Sequence, residues 1–220
     1  ILPQLSKYVQ SKKKEKITLI QNKALELSMF LSLPATIALL VGSEEITSAL
    51  FGYGSFDMES VANSAKALYF FSLGLPAFAL IKVFSSFFFA NHDTKTPFYI
   101  SLISVILNIL ISLYYFKEIG FIIIPIATSI SSWFNSIVLL IFLKKEKLFR
   151  FNQIFFIKFI KITIASIIMG FIFRYVILFF ENQLAYSYDL KLFYLILSVI
   201  LGLISYLLLA FFIRAFNSKD

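Results

Sequence analysis

Long runs of apolar residues, rather than alternating or striped patterns, dominate this chain. Six of these runs are each long enough to cross the ~30 Å hydrocarbon core of a bilayer as an α-helix. They cover residues 24–42, 65–90, 97–116, 121–143, 154–180 and 192–213. The pattern predicts an all-α polytopic membrane bundle with six transmembrane helices.

The polar segments between the runs predict how the chain is organised. Residues 1–23 form a basic linker or an amphipathic helix at the membrane surface, and both interpretations stay open. Residues 24–143 hold four spans, residues 144–153 form a basic loop, and residues 154–220 hold two further spans and a short tail. Only a few residues around Gly120 separate spans three and four, which predicts an antiparallel hairpin.

Three prolines and one acidic segment interrupt the spans. Pro34, Pro76 and Pro125 lie inside spans, where proline frees a backbone carbonyl and commonly bends the helix, so they are candidate hinges. Residues 43–60 are acidic and enclose a short apolar piece that is too short to span. We expect that piece to form an interfacial or re-entrant turn.

Composition supports the membrane assignment and narrows the possible chemistry. The chain is 60% hydrophobic and 15% charged, whereas soluble domains carry roughly 25% charged residues. It has no cysteine and one histidine, His92, so thiolate and histidine metal clusters are excluded. No catalytic constellation and no basic soluble module are found, which predicts neither an enzyme nor a nucleic-acid-binding protein.

The distribution of Lys and Arg predicts the orientation of the spans. Fifteen of the twenty basic residues fall on the side of the amino terminus, and four fall on the other side. Both ends of the chain and residues 91–96 are therefore expected in the cytoplasm. The first residue is Ile and no signal peptide follows, which leads us to expect part of a longer chain.

Polar residues inside or beside the spans are the candidate functional residues. Lys82 lies within span two, where an ionisable side chain is either functional or reaches back to the interface. Asn108 and Ser112 share a helix face, and Thr128 and Ser129 lie at a similar depth on the next span. These four residues either line a transport cavity or join helices by hydrogen bonds.

Several segments resemble the lipid II flippase (MurJ/MviN) family of the multidrug/oligosaccharidyl-lipid/polysaccharide (MOP) exporter superfamily. The similarity extends over essentially the whole chain, and its most specific parts are LFGYGSF at residues 50–56 and the run from Lys82 to Pro97. It implies helices nine to fourteen of a fourteen-helix transporter, with an N-terminal lobe of the same transporter as partner. The last two spans would then form a groove for the lipid tail.

The family resemblance also implies a function. The family moves an undecaprenyl-linked peptidoglycan precursor across the bacterial inner membrane by alternating access, without a cofactor. Membrane lipids are further partners. Lys82 matches a basic residue of the family pattern, and Asp93 and Lys95 are gate candidates in the loop that follows. Another MOP exporter, for a lipid-linked polysaccharide or a drug, and a fragment without transport activity are the alternatives.

Coupling to the membrane potential or to a monovalent cation is possible within this family. Some members bind sodium through an Asn-x-x-x-Asp pattern on one helix and a Thr on the next. Asn108 and Thr128 match the Asn and the Thr, but Ser112 stands at the acidic position. Loss of that carboxylate removes the main charge attraction for a cation.

Overall fold

The computed structural model describes residues 14–215, and the regular structure in this range is helical. A 3₁₀ turn at Gly120–Ile122 joins two of the helices. In chain order the helices are α1 (Lys14–Val41), α2 (Ser43–Phe51), α3 (Met58–Ser72), α4 (Leu75–Ala90), α5 (Lys95–Ile119), α6 (Ile123–Lys145), α7 (Gln153–Phe179), α8 (Glu181–Leu184) and α9 (Lys191–Phe212).

The described residues divide into two compact units. Unit 1 holds residues 14–32 and 74–159, and unit 2 holds residues 33–73 and 160–215. The division falls inside α1 and inside α7, so each of these helices contributes to both units. The four sequence segments predicted above divide the chain by position rather than by packing, and they stay a prediction.

Five helical stretches are long and apolar enough to cross a membrane: Glu15–Val41, Met58–Ala90, Lys95–Lys145, Gln153–Phe179 and Lys191–Phe212. The third stretch is 51 residues long, about twice the length that crosses a bilayer. Gly120 divides it into α5 and α6 with a positive φ of 72°. The predicted number of six crossings stays a prediction.

The predicted hairpin of spans three and four is confirmed in unit 1. Asn108 on α5 donates a hydrogen bond to Thr128 on α6. Asn135, further along α6, donates to Ser101, which lies earlier on α5. Because the order of the partners is reversed between the two helices, α5 and α6 run antiparallel.

Span two differs from its prediction because it consists of two helices. α3 ends at Ser72 and α4 begins at Leu75, with Gly74 between them. A Cβ atom on Gly74 would lie 2.9 Å from the Ser129 hydroxyl oxygen and 3.1 Å from the Ser129 Cα atom. Gly74 therefore lets the start of α4 approach α6 more closely than any other residue would permit.

The apolar core of unit 1 is rich in phenylalanine. Phe84, Phe87 and Phe88 project from one face of α4 and are buried. Phe87 stacks on Phe149, which follows α6, with ring centroids 5.7 Å apart. Leu139 on α6 is also part of this cluster, so α4 and α6 share a continuous apolar interface.

Glycines allow close helix packing in unit 2. Gly170 on α7 lies against Ile37 on α1, and a Cβ atom at Gly42 would lie 2.8 Å from the Phe173 ring. A Cβ atom at Gly202 on α9 would meet the same ring at 3.2 Å. Small residues at such positions are typical of helix interfaces in membranes.

Candidate functional site

The loop between α4 and α5 is held by hydrogen bonds that end one helix and begin the next. His92 has a φ of 61°, and its N–H donates to the Phe89 carbonyl. The N–H of Asp93 donates to the Phe88 carbonyl. This pair of bonds is the Schellman arrangement that closes many helix C-termini, with His92 in the left-handed position.

Asp93 caps the first turn of α5. Its Oδ1 atom accepts hydrogen bonds from the N–H groups of Lys95 and Thr96, both at 3.0 Å. Hydrogen bonding from the Thr96 side chain, and then from the Thr96 backbone, lowers the pKa of the Asp93 carboxyl group. Lys95 contributes its N–H group here while its side chain is exposed. The two gate candidates thus lie together at the start of α5.

Lys82 lies on the exposed face of α4. Its neighbours on that face include Phe78 and Phe89, which are both exposed, whereas Val83 and Phe84 pack into the core. No described residue forms an ion pair or hydrogen bond with the Lys82 ammonium group. Lys82 lies eight residues before the end of α4, a rise of about 12 Å. Its ammonium group is therefore available to a ligand or to the interface.

A polar seam connects α5 and α6 in unit 1. Asn108 Nδ2 donates to Thr128 Oγ1 at 3.0 Å and to Ser131 Oγ at 3.3 Å. The Thr128 hydroxyl donates to the Ile124 carbonyl at 2.8 Å, and the Ser131 hydroxyl donates to the Thr128 carbonyl. The structure brings Asn108 and Thr128 together as predicted and adds Ser131, which sequence reasoning did not single out.

Ser112 and Ser129 are the two remaining candidates on α5 and α6. The Ser112 hydroxyl is buried and has no hydrogen-bond partner among the described residues. Ser129 is buried where α6 meets Gly74, and its carbonyl accepts a hydrogen bond from Ser132. Ser129 therefore contributes to the contact between α4 and α6.

The predicted sodium site falls on this seam. The amide nitrogen of Asn108 faces both hydroxyl oxygens, and no carboxylate of residues 14–215 is hydrogen-bonded to them. Within residues 14–215, no group of three or more His, Cys, Asp or Glu residues is arranged to hold a metal ion. A cation at Asn108 and Thr128 would have to replace the existing hydrogen bonds, and the sodium site remains a prediction.

The three hinge candidates occupy different helical contexts. Pro34 lies inside α1, Pro76 lies in the first turn of α4, and Pro125 is a buried residue near the start of α6. Proline in a first turn removes no helical hydrogen bond, because that N–H group has no intrahelical partner. Among the three, Pro34 is therefore the one placed to interrupt hydrogen bonding in the middle of a helix.

An ion pair and two amides, which the sequence interpretation did not select, connect α1 to the region around the start of α7. Glu26 on α1 binds Lys158 on α7 at 3.0 Å, and both side chains are largely buried.

Gln21 on α1 donates to the Leu148 carbonyl, and Asn22 bonds to the loop before α7 at residues 150 and 152. These amides are buried, and they lie on a part of α1 that precedes the predicted start of the span at Ala24. Residues 1–13 of the predicted basic segment lie outside the described residues.

Lys191 is a second group that the sequence interpretation missed. It is 1% exposed, and its ammonium group donates to the Gly52 and Tyr186 carbonyls at 2.6 and 2.7 Å. The ammonium also lies over the rings of Tyr53 and Tyr186, 4.2 and 4.6 Å from their centroids. Two carbonyls and two aromatic faces compensate the buried charge. Lys191 thereby joins the turn after α2 to the loop before α9.

Comparisons with known proteins agree with this fold. A search of solved structures finds "Lipid II flippase MurJ, inward closed conformation" with a TM-score of 0.74 and 26% identity, covering 96% of this chain and 41% of that chain. A probable lipid II flippase MurJ from Rickettsia prowazekii is 39% identical over 135 residues, which is 61% of this chain and 27% of the relative. Another from Buchnera aphidicola subsp. Baizongia pistaciae is 30% identical over 198 residues, which is 89% of this chain and 39% of the relative.

The chain thus spans less than half the length of these relatives. The sequence profile described as "Lipid II flippase MurJ" matches residues 1–197, which include both the polar seam and the loop after α4. Since this match covers most of the sequence and the solved flippase shares its helical arrangement, the chain belongs to the lipid II flippase MurJ family.

Proposed function

We propose that this chain forms part of a transporter that moves lipid II, the undecaprenyl-linked peptidoglycan precursor, from the cytoplasmic to the periplasmic leaflet. The observation that carries the proposal is the family match over residues 1–197. Transport by alternating access requires two states of the helices, each favoured by different contacts. In this mechanism the other part of the transporter completes the cavity around the substrate.

Lys82 is proposed to contact the pyrophosphate of the substrate. Its ammonium group is exposed on α4 and has no ion-pair partner among residues 14–215. A lysine acts on phosphate as a compact point charge, which suits a ligand that must be released again. Asp93 and Lys95 are proposed to act at the cytoplasmic gate, since they lie together at the start of α5, just after the helix that carries Lys82.

The proposed location is the bacterial inner membrane, with both chain ends in the cytoplasm. The excess of Lys and Arg on the amino-terminal side supports this orientation. The last two spans are proposed to accommodate the lipid tail, because α9 exposes many large apolar side chains. Coupling to the membrane potential or to a monovalent cation, without a bound organic cofactor, completes the proposal.

A chimeric transporter tests the proposal. Residues matched in this chain replace the corresponding segment of the lipid II flippase MurJ of Burkholderia cenocepacia, a relative that is 26% identical over 170 residues. We expect the chimera to restore growth of a bacterium depleted of its own flippase. It should also restore lipid II at the outer face of the membrane, measured with a membrane-impermeant label on intact spheroplasts.

Two controls make the outcome interpretable. The unaltered Burkholderia protein must restore growth, and the same protein without the replaced segment must not. A chimera that reaches the membrane in normal amounts but leaves lipid II inside would contradict the proposal. Export of a different lipid-linked sugar by that chimera would instead indicate another transporter of the same superfamily.

A further inference from the structure

One face of α4 carries four side chains of different chemistry that the packing of unit 1 leaves exposed or partly exposed. They are Phe78, Lys82, Ser86 and Phe89, and we call them the α4 stripe. An α-helix turns by about 100° per residue, which places the other three within about 40° of Lys82 around the helix axis. Phe78 and Phe89 are 39% and 42% exposed, whereas the opposite face of α4 packs into the phenylalanine-rich core.

Lys82 indicates what the stripe faces. An ammonium group in contact with lipid hydrocarbon is unfavourable, so charged side chains of membrane helices usually face a bundle interior or a water-filled cavity. Lys82 lies about 12 Å before the end of α4 and forms no hydrogen bond or ion pair with a described residue. The side of α4 that turns toward the substrate therefore includes Phe78 and Phe89 as well as Lys82.

Ser86 adds a hydrogen-bond acceptor to the stripe. Its hydroxyl group donates to the Val83 carbonyl at 2.7 Å, and its oxygen atom keeps the capacity to accept a hydrogen bond. Ser86 lies one helical turn beyond Lys82, on the side of Phe89. Along α4 the stripe thus presents an aromatic ring, an ammonium group, a hydroxyl oxygen and a second aromatic ring.

This order corresponds to the order of chemical groups in a polyprenyl pyrophosphate that carries a sugar. In such a lipid the pyrophosphate lies between the apolar chain and the sugar. Phe78 lies about 6 Å before Lys82 along the helix axis, and Phe89 lies about 10 Å after it, next to the loop that follows α4. An aromatic ring packs against hydrocarbon and equally against the C–H face of a sugar ring, whose hydroxyl groups stay free for hydrogen bonds.

We propose that the α4 stripe recognises the three parts of this substrate separately. Phe78 contacts the first isoprene units, Lys82 binds the pyrophosphate, and Phe89 packs against the sugar. Ser86 accepts a hydrogen bond from a sugar hydroxyl or amide group. Phe89 is then a specificity-determining residue, because it distinguishes the sugar-bearing lipid from the bare carrier. This inference rests on the proposed function and adds to it the side chains that select the substrate.

Binding of two lipids that differ only in the sugar-containing part tests the proposal. The protein is expressed from its complete reading frame and purified in detergent, and its affinity is measured for lipid II and for undecaprenyl pyrophosphate. We expect F89L to weaken binding of lipid II at least five-fold and to leave binding of undecaprenyl pyrophosphate unchanged. F78L should weaken binding of both lipids by the same factor, because both carry the prenyl chain.

Matched variants control for effects on folding. F89Y keeps the aromatic ring and should bind both lipids like the unaltered protein. F98L changes an exposed phenylalanine on α5, outside the stripe, and should also bind both lipids normally. F89M takes the place of F89L if F89L lowers the thermal midpoint.

The selectivity of F89L decides the outcome. Equal weakening of both lipids, or unchanged binding of both, would overturn the proposal and leave the proposed function intact. If the unaltered protein binds neither lipid, the proposed function is overturned together with this inference.

Discussion

Two aspartate side chains accept hydrogen bonds from backbone N–H groups that have no partner within their own helix. Asp93 accepts two N–H groups at the start of α5, and Asp57 accepts the Ser60 N–H group at the start of α3. In both cases these hydrogen bonds lower the pKa of the carboxyl group. The ionised form is the better acceptor, so charge and helix geometry support each other.

Replacement of Asp93 should separate the contributions of charge and hydrogen bonding. D93A removes the cap and should destabilise the protein by roughly 1 kcal/mol. D93N keeps a hydrogen-bond acceptor and should destabilise the protein less. Because the folded pKa lies below the ordinary 3.8, the contribution of Asp93 is full above that pH and lost as pH falls through the folded value. Thermal midpoints of both variants, measured at neutral pH and below pH 3.8, check this. A D93N midpoint that falls with acid as steeply as that of the unaltered protein would contradict it.

The capping role of Asp93 could have been read from its sequence context. An Asp just before an apolar run, with Pro97 in the first helical turn, is a typical helix start. The sequence interpretation placed Asp93 at a gate through the family resemblance instead. Lys191 offered no comparable signal, because its partners Gly52 and Tyr53 lie far away in the chain.

At the scale of helices, hydropathy alone predicts the hairpin of α5 and α6 but not the division of span two at Gly74. The short polar connection at Gly120 interrupts the apolar run, whereas hydropathy continues unchanged through Leu73 and Gly74. Pro76, two residues after Gly74, is the local signal for this break, and the contact of Gly74 with Ser129 shows that the break brings α4 close to α6. Hydropathy reports the length of a span, whereas proline and tertiary contacts determine where it breaks.

The seam between α5 and α6 should show measurable coupling. A double-mutant cycle of N108A and T128V should give a coupling energy of about 0.5–1.5 kcal/mol, in the range found for hydrogen bonds between membrane helices. N135A removes the separate bond to Ser101 and is the matched control. The effects of N135A and T128V on the free energy of unfolding should be additive. Thermal unfolding in detergent measures both cycles.

Transport distinguishes the two interpretations of Asn108. If the seam only joins helices, N108A transports in proportion to the amount of folded protein. A loss of flux beyond that proportion, together with a lost response to sodium, would indicate an ion site instead.

Removal of one partner of the ion pair between α1 and α7 should lower the stability of the protein. E26Q removes one partner of the largely buried Lys158 ammonium group, which keeps its other interaction, and should destabilise the protein by about 1–3 kcal/mol. The double variant E26Q/K158M removes both charges and should recover most of that loss. Thermal midpoints of the two variants provide the measurement, and an E26Q midpoint equal to that of the unaltered protein would refute the expectation.

At the scale of the whole molecule, two units share two continuous helices. α1 and α7 each pass from one unit into the other, so the units are not independent segments of chain. The polar seam, Lys82 and the Glu26–Lys158 ion pair belong to unit 1, and the buried Lys191 belongs to unit 2.

Substitution of Lys82 tests whether its side chain takes part in transport. In the chimeric transporter, K82A should reduce lipid II flux at least ten-fold, while K82R should retain more activity because it keeps the positive charge. Lys82 is exposed and forms no hydrogen bond or ion pair with a described residue. Neither variant should therefore change the free energy of unfolding by more than about 0.5 kcal/mol. Unchanged flux in K82A at normal abundance would indicate that the side chain only reaches the membrane interface.

The bonds from Asn22 to residues 150 and 152 have a consequence for biosynthesis. They join groups that are 128 and 130 residues apart in the chain. At a synthesis rate of about 5–20 residues per second, roughly 6–26 s pass between the emergence of Asn22 and that of its partners. During this interval Asn22 keeps its hydrogen bond to the Thr18 carbonyl within α1, but its side-chain oxygen lacks its final partner. We therefore expect the first turns of α1 to stay in contact with water until the segment before α7 has been synthesised.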